Sequence, residues 1–514
     1  MNILAAIRAL GLGRITKTGA LFAFLLASSI GLSACGGGGG TTATTGDSGD
    51  VFVALTDARG DFASYTVDVM SLSLTTANGT VVETLPISTR VDFAQYTDMT
   101  EFLTIATIPK GIYVQGSITL DYSNADIWVE DANGNAIQVS NIVDGNGNPV
   151  SQIEMTVQLD GQNQLRIAPG IPAHLTMDFD LKASNTVTFD AQDVPTISVQ
   201  PFLLAAVDAT NQKTHRVRGP LKQVIAESDK FQLYIRPFRH RMSNPNARSF
   251  GVLTVKTDAQ TLFEVDGVKY QGSAGIDAMA LLPARSAVIA QGKVHINLAH
   301  FKANIVYAGS SVSGGNMDVV HGSVIARTGN TLSMRGATLI RADGTVSFND
   351  TVRVTLADST IVSKQLDSAD HTISEISVGQ RLTVFGVAVM DASNALSLDA
   401  SNGYARMVIS SVNGHVSGSA FLTDSTLPLV MNASLINGRN VSLYDFTGTG
   451  IDSANDANPA SYEITTGTLD VSGLTDLLAV SVRGFPTAFG SAPNDFVAQT
   501  IINRSQPQAL PQTP

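Results

Sequence analysis

The sequence predicts an all-β protein in which an N-terminal antiparallel β-sandwich is followed by three small β-barrels. Asn-Gly and Asp-Gly pairs recur between runs of alternating apolar and polar residues, and such pairs are the strongest short-range signal of a β-hairpin. No segment of helical length has the apolar period of an amphipathic helix. The chain is therefore expected to bury its apolar residues between sheets.

A basic and then apolar N-terminal segment has the pattern of a secretory signal. Residues 1–34 carry three basic side chains and no acidic one, and the apolar run at 20–32 is shorter than the about 20 residues that span a membrane. The sequence LSAC at 32–35 resembles the lipobox of bacterial lipoproteins. The resemblance implies a signal peptide of residues 1–34, cleavage before Cys35 and lipidation of Cys35. The alternative is an ordinary signal peptide whose mature chain keeps a free thiol.

Residues 35–50 are predicted to form a flexible Gly/Ser/Thr tether, because they contain no large apolar side chain. In lipoproteins of this kind an acidic residue after the cysteine retains the protein in the inner membrane. Gly36 therefore implies the bacterial outer membrane, with the lipid as the membrane attachment. Whether the protein faces the periplasm or the cell surface stays open.

Residues 51–207 are predicted to form the β-sandwich. Apolar and polar residues alternate in IYVQGSITLDY (112–122) and in HLTMDFDLK (174–182), which places one face of each strand on a core. In TVDVMSLSL (66–74) the apolar set changes phase between Val69 and Met70, as it does at a β-bulge. Hairpin signals at short intervals favour closure by two sheets.

Three stretches of this region resemble a known bacterial lipoprotein domain. They are VFVALTDARGDFASYTVDVMSLSL, VDFAQYTDMTEFL and IPKGIYVQGSITLDYSNADIWVED. The domain is known as domain of unknown function 4382, and the resemblance covers roughly residues 50–185. It implies a β-sandwich on a secreted or lipidated protein and assigns no chemistry to any residue.

Three repeats are predicted behind the sandwich, at residues 210–312, 319–412 and 413–504, and a disordered tail at 505–514. Each repeat has a first glycine, a second glycine and an alanine that leads an apolar strand. In chain order these are Gly219, Gly292 and Ala303; Gly322, Gly386 and Ala405; Gly418, Gly484 and Ala498.

Glycines at matched places inside strands are typical of the bends in small barrels, and five or six strands a unit fit a barrel resembling an OB-fold. The stretch ISVGQRLTVFGVAV (376–389) also resembles the repeats known as domain of unknown function 5666. OB-like barrels bind oligosaccharides or oligonucleotides, but a fold does not give a function.

Charge constrains the partners. The chain has 44 Asp and Glu against 32 Lys and Arg, which is a poor match for nucleic acid, so no nucleic-acid partner is expected. One basic segment, IRPFRHRMSNPNAR (235–248), stands out from this background. Its candidate ligand-binding residues are Arg236, Phe238, Arg239, His240 and Arg241, because arginine holds carboxylates or phosphates through forked hydrogen bonds. The alternative is a solvated hairpin whose arginines pair with the protein's own carboxylates.

The sequence gives little support for catalysis and predicts neither a metal nor a cofactor. It has no His-Glu-x-x-His, no cysteine-based metal motif and no Gly-x-Ser-x-Gly. Asp131 and Asp144 each open an Asp-x-Asn-x-Asn run, but the glutamate that completes an EF-hand loop is missing, so turns are favoured over calcium sites.

We expect a non-enzymatic, lipid-anchored binding or scaffold module for an envelope polysaccharide or a protein partner. The alternative is an envelope polysaccharide hydrolase that uses paired carboxylates at a domain junction, because sequence spacing does not reveal pairs assembled across strands. The oligomeric state stays open.

Overall fold

The computed structural model describes residues 47–56, 62–96, 99–131, 135–159, 161, 164–200, 202–207, 214–236, 250–295, 300–312, 317–342, 345–390, 395–423 and 427–504. Within these residues the chain is almost entirely β, which confirms the predicted class. Its α-helices are short: α1 (Leu181–Ser184), α2 (Ser273–Ala280) and α3 (Ala420–Thr423). Short 3-10 helices lie at Phe93–Tyr96, Ala226–Ser228, Gly309–Ser311, Ile373–Glu375, Val441–Leu443 and Pro459–Ser461. None of the described helices is long and apolar enough to cross a membrane.

The sandwich contains the first part of the strand series. Its strands are β1 (Ser48–Thr56), β2 (Phe62–Thr76), β3 (Val81–Glu83), β4 (Thr89–Asp92), β5 (Met99–Pro109), β6 (Gly111–Glu130), β7 (Ala136–Gln138), β8 (Asn141–Asp144), β9 (Gln152–Gln158), β10 (Leu165–Ile167), β11 (Ala173–Phe179), β12 (Asn185–Phe189), β13 (Pro195–Val199) and β14 (Leu203–Ala206). One sheet has the order β14-β11-β1-β5, and the facing sheet has the order β10-β6-β2-β3 with β4, β7 and β9 beside it. A third, small sheet has the order β12-β13-β8.

The bulge predicted in β2 is present. The register between β2 and β6 shifts between Val69 and Ser71. Val69 and Leu72 are both buried, whereas Met70 between them is 41% exposed. Met70 is thus the extra residue that lets the apolar side chains before and after it reach the same core.

The sandwich is predicted to be antiparallel, and the structure differs from this at two pairings. β1 runs parallel to β11, with Val51 opposite Ala173, and β8 runs parallel to β13. Parallel neighbours need a long crossover connection, and the whole second sheet lies between β1 and β11 in the chain. Alternation of apolar residues reports burial and carries no information on strand direction.

Three five-stranded barrels follow, each with short additional elements. Barrel 1 consists of β15 (Thr214–Ile225), β16 (Lys230–Tyr234), β17 (Val252–Lys256), β20 (Ala287–His295) and β21 (His300–Ala308), with the added strands β18 (Leu262–Val265) and β19 (Val268–Gln271). Barrel 2 consists of β22 (Asp318–Thr328), β23 (Thr331–Ile340), β24 (Val346–Thr355), β27 (Arg381–Met390) and β28 (Leu396–Val408), with the added strands β25 (Ile361–Lys364) and β26 (Asp367–His371). Barrel 3 consists of β29 (Ser410–Val416), β30 (Leu429–Ile436), β32 (Tyr462–Thr465), β33 (Ala479–Pro486) and β34 (Phe496–Asn503), with β31 (Arg439–Asn440) beside β30.

All three barrels close in the same strand order. In barrel 1 the first strand pairs with the second, the second with the third, the third in parallel with the fifth, the fifth with the fourth and the fourth with the first. Barrel 2 repeats these pairings. Barrel 3 repeats them again. The closure resembles the OB-like barrel that the sequence predicts.

Strand register shows which residues of the repeats are equivalent. Gly219 lies opposite Val288 on the fourth strand of barrel 1, and Gly322 lies opposite the matching position of barrel 2. In barrel 3 this position is taken by Gly414, which lies opposite Val480, and not by Gly418.

The alanine landmark also moves in one repeat. Ala303 and Ala498 are equivalent, because each pairs with the second glycine of its barrel. In barrel 2 the register shifts between Phe385 and Val387, where β28 carries extra residues, so the counterpart of Ala405 is Val306. A comparison of short sequence strings cannot detect the bulge of β28, because the extra residues lie outside the matched strings.

The sheet and the core both continue from the sandwich into barrel 1. β5 and β15 pair in parallel, which joins the first sheet of the sandwich to the barrel wall. One hydrophobic core runs through both, while barrels 2 and 3 each have a core of their own. The sequence predicts a domain boundary between residues 207 and 210. The strands before and after this boundary, β14 and β15, belong to the same sheet.

Candidate functional site

Buried charges lie where the sandwich meets barrel 1. The pairing of β5 with β15 sets Glu101 opposite Arg216. The Glu101 side chain is 0% exposed, its Oε1 accepts a hydrogen bond from Arg218 Nε at 2.7 Å, and its Oε2 accepts one from Arg218 Nη2 at 3.0 Å and another from Arg216 Nε. Burial opposes ionisation of Glu101, but the two guanidinium groups hold its pKa below its usual range. One ionised carboxylate therefore joins the two domains.

Two histidines that are distant in the sequence also meet at this boundary. His174 of β11 and His215 of β15 are both buried, and their ring centroids are 5.5 Å apart. The ring of Phe102 lies 5.6 Å from that of His215. The sequence shows only scattered histidines, and the parallel pairings of β1 with β11 and of β5 with β15 bring these two together.

A second buried ion pair joins barrels 1 and 2. Arg406 of β28 donates from Nε to Glu264 Oε2 of β18 at 3.2 Å and from Nη2 to Glu264 Oε1 at 2.5 Å. The same Nη2 donates to the carbonyl oxygen of Ser311 at 3.0 Å, and the guanidinium lies 3.8 Å from the ring centroid of Tyr307. Burial opposes the charge of Glu264, but Arg406 holds the pKa of Glu264 below its usual range.

Equivalent residues of the two barrels contact each other at this junction. Glu264 pairs with Tyr307 across β18 and β21, and Ser363 pairs with Arg406 across β25 and β28 in the same register. Glu264 accepts a hydrogen bond from its counterpart Ser363 at 3.1 Å, just as Tyr307 stacks on its counterpart Arg406. The added strand and the fifth strand of barrel 1 thus meet the same two strands of barrel 2 at this junction.

A cavity of about 30 Å³ lies in this junction, beside Lys269, Tyr270, Lys364, Gln365 and Asp367. This volume accommodates ordered water and is too small for a sugar ring. The backbone N–H of Ala369 and nearby positive charges hold the pKa of Asp367 below its usual range. The pKa of Glu264 is also lowered. Both carboxyl groups of the cavity are therefore ionised near neutral pH and lack the proton that a general acid must donate.

His321 of β22 lies near the charged groups of both junctions. Burial, together with the positive charges of Arg216, Arg406 and Arg218, lowers its pKa to about 3. Its Nδ1 is 2.9 Å from the hydroxyl oxygen of Thr383. The imidazole is therefore neutral at physiological pH, and the charge of this region comes from the arginines and glutamates.

The sandwich also contacts barrels 2 and 3. Arg439 of β31 forms an ion pair with Glu130 of β6. The ring of Trp128 lies 5.1 Å from that of Phe348 in barrel 2. Barrels 2 and 3 are joined in turn by Arg327, whose guanidinium lies 4.6 Å from the ring centroid of Phe489. Each of the four domains is thus held by a charged or aromatic contact to another.

The predicted basic segment is described only at its start. Arg236 is 8% exposed, and its guanidinium lies 5.5 Å from the ring centroid of Phe250. Its side chain therefore belongs to the wall of barrel 1 and not to an open surface. Phe238, Arg239, His240 and Arg241 lie outside the described residues, as does Cys35.

The described residues contain no group of three His, Cys, Asp or Glu side chains that could hold a metal ion. The carboxylate of Asp144, the candidate calcium ligand, accepts hydrogen bonds from the backbone N–H groups of Asn146 and Asn148. These bonds hold its pKa below its usual range. Asp144 thus stabilises its own turn, as the favoured interpretation of the sequence expects.

The comparison with known families concerns the sandwich. Residues 48–194 match the family described as Domain of unknown function (DUF4382). This is the domain that the sequence resembles, and the match reaches the β12–β13 turn. No curated protein matches the chain. The description of this family names no activity or ligand, so the function is inferred from the residues of this chain.

Proposed function

We propose that this protein is a non-enzymatic, lipid-anchored scaffold of the bacterial outer membrane that binds an envelope polysaccharide or a protein partner. The observation that carries the proposal is the set of buried ion pairs between domains. Glu101 holds two arginines of barrel 1, Glu264 holds one arginine of barrel 2, and Glu130 holds Arg439 of barrel 3, which fixes the sandwich and the barrels in one arrangement. A preformed arrangement loses little conformational entropy when a large partner binds across several domains.

Membrane attachment through Cys35 is the first part of the proposal to test. We expect Cys35→Ser to move the protein from the membrane fraction to the soluble fraction, because the described domains include no membrane-spanning helix. The β-sheet circular dichroism should not change, since residue 35 lies outside the folded domains described here. Fractionation after a wash in high salt measures the effect, with Thr41→Ser in the tether as the control. A Ser variant that stays bound through the wash contradicts lipid anchoring.

The basic segment is the part of the proposal that concerns an anionic polysaccharide. We expect Arg239→Ser/Arg241→Ser to reduce retention on immobilised polygalacturonate at low salt, with little retention of either protein at high salt, because salt screens the attraction between arginines and a polyanion in solution. Arg236 is left in place since it packs in the barrel wall. The control is Lys182→Ser/Lys293→Ser, which removes the same charge elsewhere. Equal retention of the two double variants argues against the segment as a binding site.

The hydrolase alternative has less support from the carboxyl groups. The carboxyl groups at the junctions, Glu101 and Glu264, have lowered pKa values. Burial, with a smaller contribution from the charge of Glu463, raises the pKa of Asp495 to about 6. However, Asp495 is buried in the wall of barrel 3, where its Oδ2 accepts a hydrogen bond from the Glu463 backbone at 2.9 Å. This arrangement supports a structural role for Asp495 over proton donation to a substrate.

A further inference from the structure

The fifth strand of each barrel has two pairing segments along one edge. Its first segment pairs in parallel with the third strand of the same barrel. In barrels 1 and 2 the second segment pairs in parallel with an additional short strand. β18 covers residues 305–308 of β21, and β25 covers residues 404–407 of β28.

Barrel 3 lacks this additional strand among the described residues. β34 pairs with β32 only at Phe496 and Val497. The register with β33 makes Thr500, Ile501 and Ile502 the counterparts of residues 305–307 and 404–406. Within the described ranges no strand pairs with these three residues on the side opposite β33.

The chain between β32 and β33 does not fill the position, because it is used elsewhere. In barrels 1 and 2 the connection between the third and fourth strands supplies the additional strand. In barrel 3 the connection at residues 466–478 packs Leu469 and Leu474 on the barrel core. Its end bonds to the first strand, where the N–H of Leu477 donates to the carbonyl oxygen of Val416 at 2.9 Å.

Exposure agrees with an open edge. Ile305 and Tyr307 are buried beneath the barrel junction, whereas their respective counterparts Thr500 and Ile502 are exposed and half-buried. Edge strands present free backbone N–H and C=O groups, which makes them templates for another strand.

We propose that residues 500–502 of β34 bind an extended segment of a partner protein, which adds to barrel 3 as a parallel strand. This proposal rests on the scaffold function and names its partner class. Strand addition of this kind takes affinity from main-chain hydrogen bonds and specificity from alternate side chains. The strands at the equivalent position, LFEV and IVSK, bury their second residue, Phe263 or Val362, in the barrel. The partner segment therefore carries an apolar residue that faces the core, followed by a polar residue at the position of Glu264 and Ser363.

Two other occupants fit the geometry less well. The tail at 505–514 follows β34 directly, so it would return antiparallel, and its three prolines cannot donate to a ladder. Two copies of β34 related by a two-fold axis would also pair antiparallel. The occupied positions in barrels 1 and 2 are both parallel, which favours a separate strand.

The test uses a fluorescent peptide with the sequence of residues 258–267, which contains β18, and the full chain solubilised in detergent. We expect saturable binding by fluorescence anisotropy, weakened at least about tenfold by Thr500→Lys/Ile502→Lys, because charges on an edge strand oppose pairing. The control variant Asn432→Lys/Ser434→Lys places the same charges at exposed positions of β30, which does not pair with β34, and should bind as the wild type does. A peptide with Phe263→Pro should not bind.

Absence of saturable binding, or equal binding by the two lysine variants, overturns the proposal. So does a concentration-dependent dimer that Thr500→Lys/Ile502→Lys abolishes, since the edge would then serve a second copy. Unchanged thermal unfolding of both lysine variants shows that the barrel stays folded. Membrane fractionation of Cys35→Ser and polygalacturonate retention do not involve β34. If the peptide does not bind but the fractionation and retention experiments give their expected results, the proposed strand-addition site is wrong and the proposed scaffold function is not contradicted.

Discussion

Replacing Glu101 with alanine is expected to lower the free energy of unfolding by about 3–5 kcal/mol, because it leaves the buried guanidinium group of Arg218 and the largely buried one of Arg216 without their counter-charge. Arg216 and Arg218 both point at this one carboxylate, whose side chain is 0% exposed. The loss should exceed that of an ordinary core truncation of similar volume, since an uncompensated buried charge adds to the lost packing. Urea unfolding monitored by circular dichroism measures it.

The control for this prediction is an exposed ion pair on the same sandwich. Asp47 and Lys110 form a pair in which both side chains are more than half exposed, at 57% and 58%. Asp47→Ala should therefore change the free energy of unfolding by less than about 1 kcal/mol. Equal losses in Glu101→Ala and Asp47→Ala would mean that the buried cluster does not hold the domains together.

Gly292→Ala is expected to lower the free energy of unfolding of the chain by about 3 kcal/mol or more, because the added methyl group has no room. A Cβ at Gly292 would lie 1.9 Å from the carbonyl oxygen of Lys302, and its nearest neighbours are all backbone atoms of the fifth strand, so no side-chain rearrangement can relieve the contact. The equivalent Gly386 and Gly484 would place a Cβ 2.3 and 2.0 Å from backbone oxygens of the fifth strand. The three alanine variants should therefore behave alike.

Gly473→Ala serves as the control, because a Cβ there has nothing within 4 Å. We expect this variant to change the free energy of unfolding little or to raise it slightly, since alanine restricts the unfolded chain more than glycine does. Thermal unfolding of the four variants under one set of conditions compares them. Stability of Gly292→Ala equal to that of Gly473→Ala would show that the fourth and fifth strands are further apart than the structure places them.

Features of the fold could be predicted from the sequence where they depend on interactions within one strand or between neighbouring strands. The phase change at Met70 predicts a bulge, since burial of every second residue is a property of one strand. The second glycines of the repeats are visible because close backbone approach excludes every other residue at Gly292, Gly386 and Gly484. Gly414 and Gly418 each end a Val-x-Gly string, VNG and VSG, so the strings alone do not show which glycine matches Gly219 and Gly322. Only strand register distinguishes the two.

The ion pairs at the domain junctions could not be predicted from the sequence, because the acid and the arginine of each pair come from different domains. Glu101 and Arg218 are separated by 117 residues, and Glu264 and Arg406 by 142. A signal did exist in each strand: Glu264 is the one acid in LFEV and Arg406 the one base in YARMV. A lone charge in an apolar strand predicts a buried counter-charge, but which strand supplies it depends on tertiary packing.

The central claim is that the buried ion pairs hold the sandwich and the barrels as one rigid body. Spin labels at Lys182→Cys in the sandwich and Thr468→Cys in barrel 3, both exposed, test it in a chain carrying Cys35→Ser. The distance between the labels, measured by pulsed electron paramagnetic resonance, should have one narrow distribution. The distribution should broaden when Glu101→Ala is added. A broad or two-peaked distribution without that substitution would contradict the claim, because it would show that the domains move independently.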